Sequence, residues 1–278
     1  MKVISCYNLK GGVGKTTINN LLALDISQTK IKNENGEMIE PKILMIDADE
    51  QANLTSFFYN NMHQDKTIVD ALINDLSAEE VIIKAPNENY PNVDFIPSNI
   101  KMSIMAELIS TRNAKEKVAM RWFIKNIETL KKYTHILIDL SPGTNIVNRN
   151  MLYISDSILG ICKYTDTASI EGFATFLERY KLDAQELELP KMANIRVLMN
   201  QYTTRKTSTA NIFDAYLENF PSIKELLLDT KVHESVSIKN AILYNTSISD
   251  YINDYGGNER SLEDMKKLTK ELIEKGMI

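Results

Sequence analysis

Eight residues near the start of the sequence combine glycine, lysine and threonine in a pattern that binds phosphate. They lie between a predicted strand and a predicted helix and read Lys10, Gly11, Gly12, Val13, Gly14, Lys15, Thr16, Thr17. Glycines let successive backbone N–H groups turn towards phosphate oxygens, and the N-terminus of the helix adds partial positive charge. Lys15 can neutralise the β- and γ-phosphates, and the Thr16 hydroxyl can bind Mg²⁺. The pattern predicts a bound nucleoside triphosphate; a glycine-rich turn without a ligand is the alternative.

Aspartates follow two of the buried runs that we predict to be strands. Asp47 and Asp49 come directly after residues 43–46, and Asp139 follows residues 136–138. The carboxyl ends of parallel strands meet at the edge of the sheet where such folds bind ligands. Carboxylates there can hold Mg²⁺ and align a water molecule, which is most of what phosphoryl transfer requires. Taken singly, each aspartate could instead be a helix cap or a turn former.

Predicted strands and helices alternate along the chain, and these elements must position the residues described above. Apolar runs typical of buried strands occur at residues 3–7, 42–47, 93–97, 135–139, 157–162 and 195–200. Helical stretches separate them, notably residues 102–130 and 170–187, and a helix over about 16–27 follows the glycine-rich loop. This alternation predicts an α/β fold of the doubly wound type, with a mainly parallel sheet and helices on both faces.

Composition narrows the class of protein further. The 278 residues include 44% apolar and 25% charged side chains, as in ordinary globular domains. No apolar run reaches the roughly 18 residues of a membrane-spanning helix. The two cysteines, Cys6 and Cys162, fit a reducing compartment. We expect one P-loop ATPase domain over residues 1–278, with an exposed hairpin-like excursion at residues 30–41, and a cytoplasmic location.

The charge is acidic overall but uneven along the chain. The 32 Lys and Arg against 37 Asp and Glu give a net charge of −5, which by itself argues against a dedicated nucleic-acid-binding protein. Residues 101–132 nevertheless carry eight basic and three acidic side chains, and no carboxylate occurs between Glu188 and Asp214. These stretches either face the phosphates of a nucleic acid or form a solvated surface. Any affinity for nucleic acid should therefore be local and salt-sensitive.

The glycine-rich loop departs from the general phosphate-loop pattern. Leu9 stands where that pattern has its first glycine, and a second lysine, Lys10, precedes the glycine pair. This KGGxGKT form resembles the deviant Walker A group of P-loop ATPases, which includes the ParA and MinD families. The resemblance implies that Lys10 crosses an ATP-sandwiched homodimer to touch the partner's nucleotide. The alternative for Lys10 is a solvent-exposed loop residue.

A second stretch is similar to the switch I motif of ParA proteins. Residues 47–55 read DADEQANLT, where the family usually has DxDPQGNxT, so that Glu50 replaces proline and Ala52 replaces glycine. The similarity implies that Asp49 orients the attacking water. It also implies that Asp47 supports Mg²⁺ through its water shell.

The resemblance to ParA proteins continues along most of the chain. Residues 139–143 read DLSPG and resemble the Walker B and switch II stretch, with Asp139 as a second outer-shell ligand of Mg²⁺. Residues 169–173 (SIEGF) resemble the start of a helix that is typical of the family. Asn200 lies in a segment that resembles the one near adenine. His233 stands where the family usually has arginine.

This resemblance implies a function in DNA partition. ParA-like proteins are Mg²⁺-dependent ATPases that dimerise with ATP and bind duplex DNA without sequence preference. A centromere-binding, ParB-like adaptor then stimulates hydrolysis and releases the dimer. We expect such behaviour here, with a nucleoid-associated location, no membrane contact, and DNA contacts from Arg196, Arg205, Lys206 and Lys239. Because the phosphate loop begins at residue 10, we expect the short type without an N-terminal helix-turn-helix.

Two other functions remain open. A MinD-like membrane-cycling or cargo-positioning ATPase would need a basic amphipathic tail, whereas the apolar stripe Met265, Leu268 and Leu272 is more typical of core packing. A nucleotide-gated scaffold with little hydrolysis is the other alternative, since Glu50 and Ala52 depart from the switch I pattern.

Overall fold

A parallel sheet at the centre of the fold is built from the apolar runs of the sequence. The computed structural model describes residues 1–32, 36–58, 66–205 and 207–278. The strands are β1 (Lys2–Tyr7), β2 (Ile31–Lys32), β3 (Met38–Ile39), β4 (Ile43–Ala48), β5 (Val93–Ile96), β6 (His135–Leu140), β7 (Ser157–Lys163), β8 (Asn194–Tyr202) and β9 (Leu227–His233). Within the described ranges, seven of them form one sheet in the order β5-β4-β6-β1-β7-β8-β9, and all neighbouring strands are parallel.

Helices cover both faces of this sheet. The helices are α1 (Lys15–Ser27), α2 (Asn53–Phe58), α3 (Ile68–Ile73), α4 (Ala78–Val81), α5 (Met102–Ser110), α6 (Val118–Lys125), α7 (Ile127–Leu130), α8 (Ile146–Tyr153), α9 (Thr167–Glu186), α10 (Ser208–Leu217), α11 (Pro221–Lys224), α12 (Val236–Leu243), α13 (Ile248–Tyr255) and α14 (Glu259–Glu274). Alternate residues of a strand point to opposite faces. In β6, Leu137 packs in one buried cluster with α1 and α14, while Ile136 and Ile138 pack in the other with α8 and α9. The predicted doubly wound α/β fold is confirmed.

The strand order brings the predicted site residues together. β6 lies between β4 and β1, so that Asp139 is the register partner of Asp47 on one side and of Cys6 on the other. The glycine-rich loop follows β1 directly and leads into α1. The loop and both carboxylates therefore lie at the same edge of the sheet, as the sequence predicts.

The predicted helical stretch at residues 102–130 is interrupted in the structure. A connection and a 3₁₀ turn at Lys115–Lys117 separate α5 from α6, and Ala114 has a φ of +51°. Within the connection, Arg112 donates hydrogen bonds to the carbonyl oxygens of Leu72 (3.1 Å) and Ile73 (2.5 Å). These are carbonyls at the end of α3 that have no partner within the helix. The break in a stretch whose local sequence favours helix thus coincides with a long-range contact.

Two further segments contain strands that the apolar runs of the sequence do not predict. In the stretch of residues 30–41, β2 and β3 form a separate antiparallel pair, and Asn35 lies outside the described residues. β9 lies outside the apolar runs predicted to be strands, because it is an edge strand in which Asp229 and Lys231 are exposed.

Candidate nucleotide-binding site

The glycine-rich loop adopts a backbone conformation that favours glycine. Gly14 is the N-cap of α1 with a φ of +95°, and Gly12 has a φ of +75°. Side chains rarely adopt this left-handed region. No described side chain caps the helix, and its first turn contains no acidic residue. The backbone N–H groups at the start of α1 are thus available to an anion, as a phosphate site requires.

A buried asparagine holds the start of the loop. Asn8 lies between β1 and the glycines, and its Nδ2 donates to the carbonyl oxygens of Ile161 (2.8 Å) and Ser169 (2.9 Å). Its Oδ1 accepts a hydrogen bond from the backbone N–H of Lys10 at 2.9 Å. Gly172 permits this approach, since a Cβ there would lie 3.2 Å from Asn8 Oδ1. The sequence motifs do not identify Asn8; its signal is a polar residue directly between an apolar strand and the loop.

Asn200 supports the loop from β8. Its Nδ2 donates to the carbonyl oxygen of Val13 at 2.8 Å, and a Cβ on Gly14 would lie 2.3 Å from this nitrogen. The neighbouring Gln201 donates to the carbonyl oxygen of Gly12 at 3.4 Å. Asn200 is thus next to the loop, as expected of a nucleotide-site residue, while its contact with adenine stays a prediction.

The two lysines of the loop lie in different environments. Lys15 is only 6% exposed, and its Nζ donates to the carbonyl oxygen of Lys10 at 3.2 Å. Burial lowers the pKa of Lys15, although the charges of Asp139 and Asp49 raise it. The Lys10 side chain is exposed. Lys15 therefore points a cation into the site, whereas Lys10 is accessible from outside the chain.

Asp47 and Asp139 are both fully buried but differ in their partners. Asp47 accepts hydrogen bonds from the backbone N–H of Asp49 (3.0 Å) and from the N–H and hydroxyl of Thr55 (2.8 and 2.7 Å). Neither carboxylate oxygen of Asp139 has a hydrogen-bond partner among the described residues. The nearby Thr16 hydroxyl lowers the pKa of Asp139 without coming into hydrogen-bond geometry. Asp139 is therefore a buried acceptor without a donor.

Two negative charges on Asp47 and Asp139 are unfavourable, because both carboxyl groups are buried and each charge acts on the other. Burial and then the charge of Asp47 raise the pKa of Asp139 well above its usual range. Burial also raises the pKa of Asp47 to about 6, against the opposing effect of the hydrogen bonds from Thr55. Desolvation disfavours the ionised form of a carboxyl group, and a nearby cation restores it. A cation beside these two side chains would therefore favour their ionised forms.

The segment that follows β4 folds around its own aspartates. Asp49 is 6% exposed, and its Oδ1 accepts a hydrogen bond from the backbone N–H of Gln51 at 3.0 Å. Ala52 has a φ of +50° and donates its N–H to the carbonyl oxygen of Asp49 at 3.1 Å. Ala52 stands where the ParA motif has glycine, and it keeps the left-handed conformation that glycine favours. The glycine-to-alanine departure therefore leaves this turn intact at the cost of local strain.

The donor set fits Mg²⁺ rather than a softer metal. No cluster of three or more His, Cys, Asp or Glu side chains is placed to hold a metal in the part of the chain that the structure describes. Mg²⁺ typically keeps several waters and takes one or two carboxylates together with substrate phosphates. The Thr16 hydroxyl and the unpaired oxygens of Asp139 beside the phosphate loop match that requirement.

Comparison with known families identifies the chain. A family model described as an AAA domain, AAA_31, matches residues 1–193. This range includes the glycine-rich loop and the strands that carry Asp47 and Asp139. The chain belongs to the AAA_31 family.

Individual relatives place this AAA_31 chain among ParA-type partition ATPases, as its motifs predict. It is 23% identical over 277 residues to the virulence plasmid ParA family protein pGP5-D of Chlamydia psittaci, covering 99% of this chain and 95% of the relative. Its fold is similar to that of Cyanothece apo McdA, with a TM-score of 0.77 and 19% identity over 96% of this chain and 98% of that one. It is also similar to a putative plasmid partition protein of Borrelia burgdorferi bound to AMPPNP, with a TM-score of 0.67, 23% identity and coverages of 96% and 98%.

The turn after β6 in this ParA-type chain is held by residues outside the motif. Asn148 Nδ2 donates to the carbonyl oxygens of Ser141 (2.9 Å) and Gly143 (2.7 Å). The Tyr7 hydroxyl donates to the same oxygen of Gly143 at 2.6 Å. Two side chains from different elements thus converge on the turn that follows Asp139, and the motif pattern identifies neither.

The four candidate DNA contacts of the ParA-type chain do not form one cluster. Arg196 lies near the amino end of β8 and donates to the carbonyl oxygen of Ile195 at 2.8 Å. Arg205 follows the carboxyl end of β8 and is exposed, while Lys206 lies outside the described residues. Lys239 is on α12 and pairs with Glu234 at 3.0 Å. Since β8 rises about 3.3 Å per residue, Arg196 and Arg205 are separated by roughly 20 Å of strand.

The last helix of the ParA-type chain packs into the core. Met265, Leu268 and Leu272 are at most 1% exposed and join the cluster of α1. The prediction that this apolar stripe packs internally is confirmed. Among the described residues, no helix is both long enough and apolar enough to cross a bilayer.

Proposed function

We propose that this ParA-type chain is an Mg²⁺-dependent ATPase that segregates DNA. The observation that supports this most directly is Asp139, a fully buried carboxylate without a donor, beside the phosphate loop. An uncompensated buried carboxylate is unfavourable unless a ligand completes its environment. ATP with Mg²⁺ would supply that environment, because the metal would place positive charge beside the carboxylate.

The loop binds the nucleotide, and Thr16, Asp47 and Asp139 hold the metal. The N–H groups of residues 11–17 and the N-terminus of α1 face the phosphates, and Lys15 neutralises part of their charge. Thr16 would bind Mg²⁺ directly, and Asp47 and Asp139 would hold it through its water shell. When bound, Mg²⁺ neutralises charge that develops on the phosphates.

Asp49 aligns the attacking water in this proposal. It follows β4 at the edge of the sheet that carries the loop, and its turn is fixed by the bond to Gln51. Phosphoryl transfer depends mainly on positioning, so a carboxylate held in this way can orient water. The left-handed Ala52 preserves the turn, which supports hydrolysis over a scaffold that only binds ATP.

Lys10 makes nucleotide binding depend on a second copy of the chain. Its backbone is fixed by Asn8 and Lys15, whereas its side chain is exposed. A lysine held in this way can reach the phosphates of a nucleotide in the facing subunit. ATP then links two protomers into a symmetric homodimer, and ADP lacks the γ-phosphate that completes the contact.

The ATP-bound dimer binds duplex DNA without sequence preference, and a ParB-like adaptor stimulates hydrolysis. Arg205 follows the carboxyl end of β8 and Lys239 lies on α12 after β9, whereas Arg196 lies near the amino end of β8. Lys206 is the next residue after Arg205 in the sequence. A symmetric dimer carries each of these basic residues twice, which increases counterion release from DNA. The affinity should therefore appear only in the dimer and fall steeply with salt.

A co-sedimentation assay tests this function. Duplex DNA and anionic liposomes are offered separately, each with Mg²⁺ and either ATP or ADP. We expect retention on DNA with ATP, little retention with ADP, and loss of binding between about 50 and 200 mM salt. Equal retention on DNA with ADP would contradict the switch. Retention on liposomes would favour a membrane-cycling ATPase, and retention on neither would favour cargo positioning or a scaffold.

A further inference from the structure

A second cavity lies between α8 and α9, apart from the phosphate loop. Its volume is about 390 Å³. Aromatic rings and two arginines line most of it, namely Tyr7, Arg149, Tyr153, Phe176, Arg179 and Tyr180. Cavities of a few hundred Å³ with apolar walls and a few polar groups are typical of small-molecule sites.

The charged groups of this cavity leave a positive excess. Asp183 is buried, and its two oxygens lie 3.1 Å from Arg149 Nε and 2.8 Å from Arg179 Nε. The Tyr153 hydroxyl donates to the same carboxylate at 2.6 Å and accepts a hydrogen bond from Arg149 Nε at 2.9 Å. One carboxylate cannot neutralise two guanidinium groups. The residues that line the cavity therefore carry a net charge of about +1, since both arginines stay protonated, while the charge of Glu116 acts on Arg149 from outside the lining.

The arginines keep their outer nitrogens for another partner. Both approach Asp183 through Nε, and among the described residues neither uses a terminal Nη nitrogen in a hydrogen bond. A guanidinium presents its donors in a planar fork that matches a carboxylate, sulfonate or phosphate group. Arg149 is held more rigidly, with 28% of its side chain exposed, while Arg179 is 53% exposed at the mouth.

The aromatic part of the lining suits a planar apolar group. The rings of Tyr7 and Phe176 meet edge to face at 4.6 Å, and those of Phe176 and Tyr180 lie 5.6 Å apart. Aromatic walls of this kind accept a flat ring by stacking and edge contacts. Tyr7 also contacts the turn after Asp139 through its bond to Gly143. Tyr7 therefore connects the cavity to the turn after Asp139, although the residues of the candidate nucleotide site do not line the cavity.

We propose that this cavity binds a small organic anion that carries a planar aromatic group beside a carboxylate, sulfonate or phosphate. The ring lies against Tyr7 and Phe176, and the anionic group lies in the forks of Arg149 and Arg179. The proposal is independent of nucleotide binding and of the function proposed above.

Fluorescence titration with 8-anilino-1-naphthalenesulfonate, an aromatic sulfonate, tests the site on the full chain. The variant Arg179→Gln removes one fork, while Asp183 keeps Arg149 and Tyr153. Lys181→Gln, an exposed lysine on the same helix, is the matched control because it removes the same charge. Circular dichroism checks that both variants are folded, and inorganic sulfate and neutral naphthalene methanol serve as competitors.

We expect one saturable site whose affinity falls about tenfold in Arg179→Gln and stays within twofold of the parent in Lys181→Gln. Sulfate lacks the aromatic ring and naphthalene methanol lacks the anionic group, so each should displace the dye only at much higher concentration. Equal dye affinity in all three proteins, or no saturable binding, would overturn the proposal. Displacement of the dye by naphthalene methanol at concentrations similar to that of the dye would also overturn the proposal, since the site would then be only apolar.

Discussion

Asp47 and Asp139 are register partners on the neighbouring strands β4 and β6, yet only Asp47 receives hydrogen bonds. Asp47 ties the segment after β4 to Thr55, so it has a structural role before any ligand arrives. Asp139 is buried without hydrogen-bond partners, which lowers the stability of the free protein. Asp47 therefore stabilises the local structure of the site, whereas Asp139 has no hydrogen-bond partner among the described residues until a ligand binds.

Replacing Asp139 should have opposite effects on the stability of the protein and on nucleotide binding. We expect Asp139→Asn to raise the free energy of unfolding of the nucleotide-free protein by about 1 kcal/mol at a pH where Asp139 is ionised, because a neutral amide of the same size replaces a buried negative charge. The same change should weaken binding of ATP with Mg²⁺ at least tenfold. Urea unfolding and nucleotide titration measure the two effects. Asp47→Asn is the control and should lower stability, since it disrupts hydrogen bonds from Asp49 and Thr55; a loss of stability in both variants would contradict the distinction.

The two positive-φ glycines of the loop should differ in sensitivity. Gly14→Ala places a Cβ 2.3 Å from Asn200 Nδ2 and adds backbone strain, whereas Gly12→Ala has open space around it. We expect losses of about 2–4 kcal/mol for Gly14→Ala and about 1–2 kcal/mol for Gly12→Ala in urea unfolding. Adding Asn200→Ala to Gly14→Ala should recover part of the loss, because the clashing amide is gone. Equal effects of the two glycine variants would argue against the contact with Asn200.

Glycine at position 52 should stabilise the turn after β4. Ala52 has a φ of +50°, which costs an alanine about 1–2 kcal/mol, while glycine adds about 0.5–1 kcal/mol of backbone entropy to the unfolded chain. The difference predicts a gain of roughly 0.5–1 kcal/mol for Ala52→Gly. Ala174→Gly, in the interior of α9, should show the opposite sign. If Ala52→Gly is as destabilising as Ala174→Gly, the left-handed turn is not populated in solution.

A buried histidine should make stability depend on pH. Burial lowers the pKa of His135 to about 4, with smaller effects of Lys2 and the N-terminus, from an ordinary value of 6.5. The unfolded chain therefore binds the proton more readily between pH 4 and 6.5, so this contribution is present above pH 6.5 and lost as the pH falls to 4. We expect up to about 3 kcal/mol of difference between the parent and His135→Gln to disappear over that window.

The comparison with His135→Gln is needed because Asp47 acts in the opposite direction. Its folded pKa of about 6 lies above the ordinary 3.8, so its burial favours the folded state as the pH falls through this window. Asp47 is present in both proteins and cancels in the difference of their unfolding free energies. Parallel pH profiles for parent and variant would show that His135 is accessible to protons in the folded state.

The sequence predicts those features that depend on local pattern. The phosphate loop is contiguous, and the strands that carry Asp47 and Asp139 are apolar because a parallel sheet is covered on both faces. Asn8 and Asn148 could not be identified in this way, because their partners are set by tertiary structure. Asn8, for example, donates to a carbonyl 161 residues away. The break in the stretch 102–130 likewise coincides with a tertiary contact, since Arg112 binds carbonyls of α3.

The central claim is that ATP joins two copies of the chain through Lys10, and the molar mass in solution tests it most directly. Light scattering with Mg²⁺ and AMPPNP should give twice the protomer mass of 31.6 kDa for the parent, and one protomer mass with ADP. Lys10→Ala should remain a monomer with AMPPNP while still binding the nucleotide, whereas Lys270→Ala, an exposed lysine on α14, should dimerise like the parent. A dimer of Lys10→Ala equal to that of the parent would contradict the account.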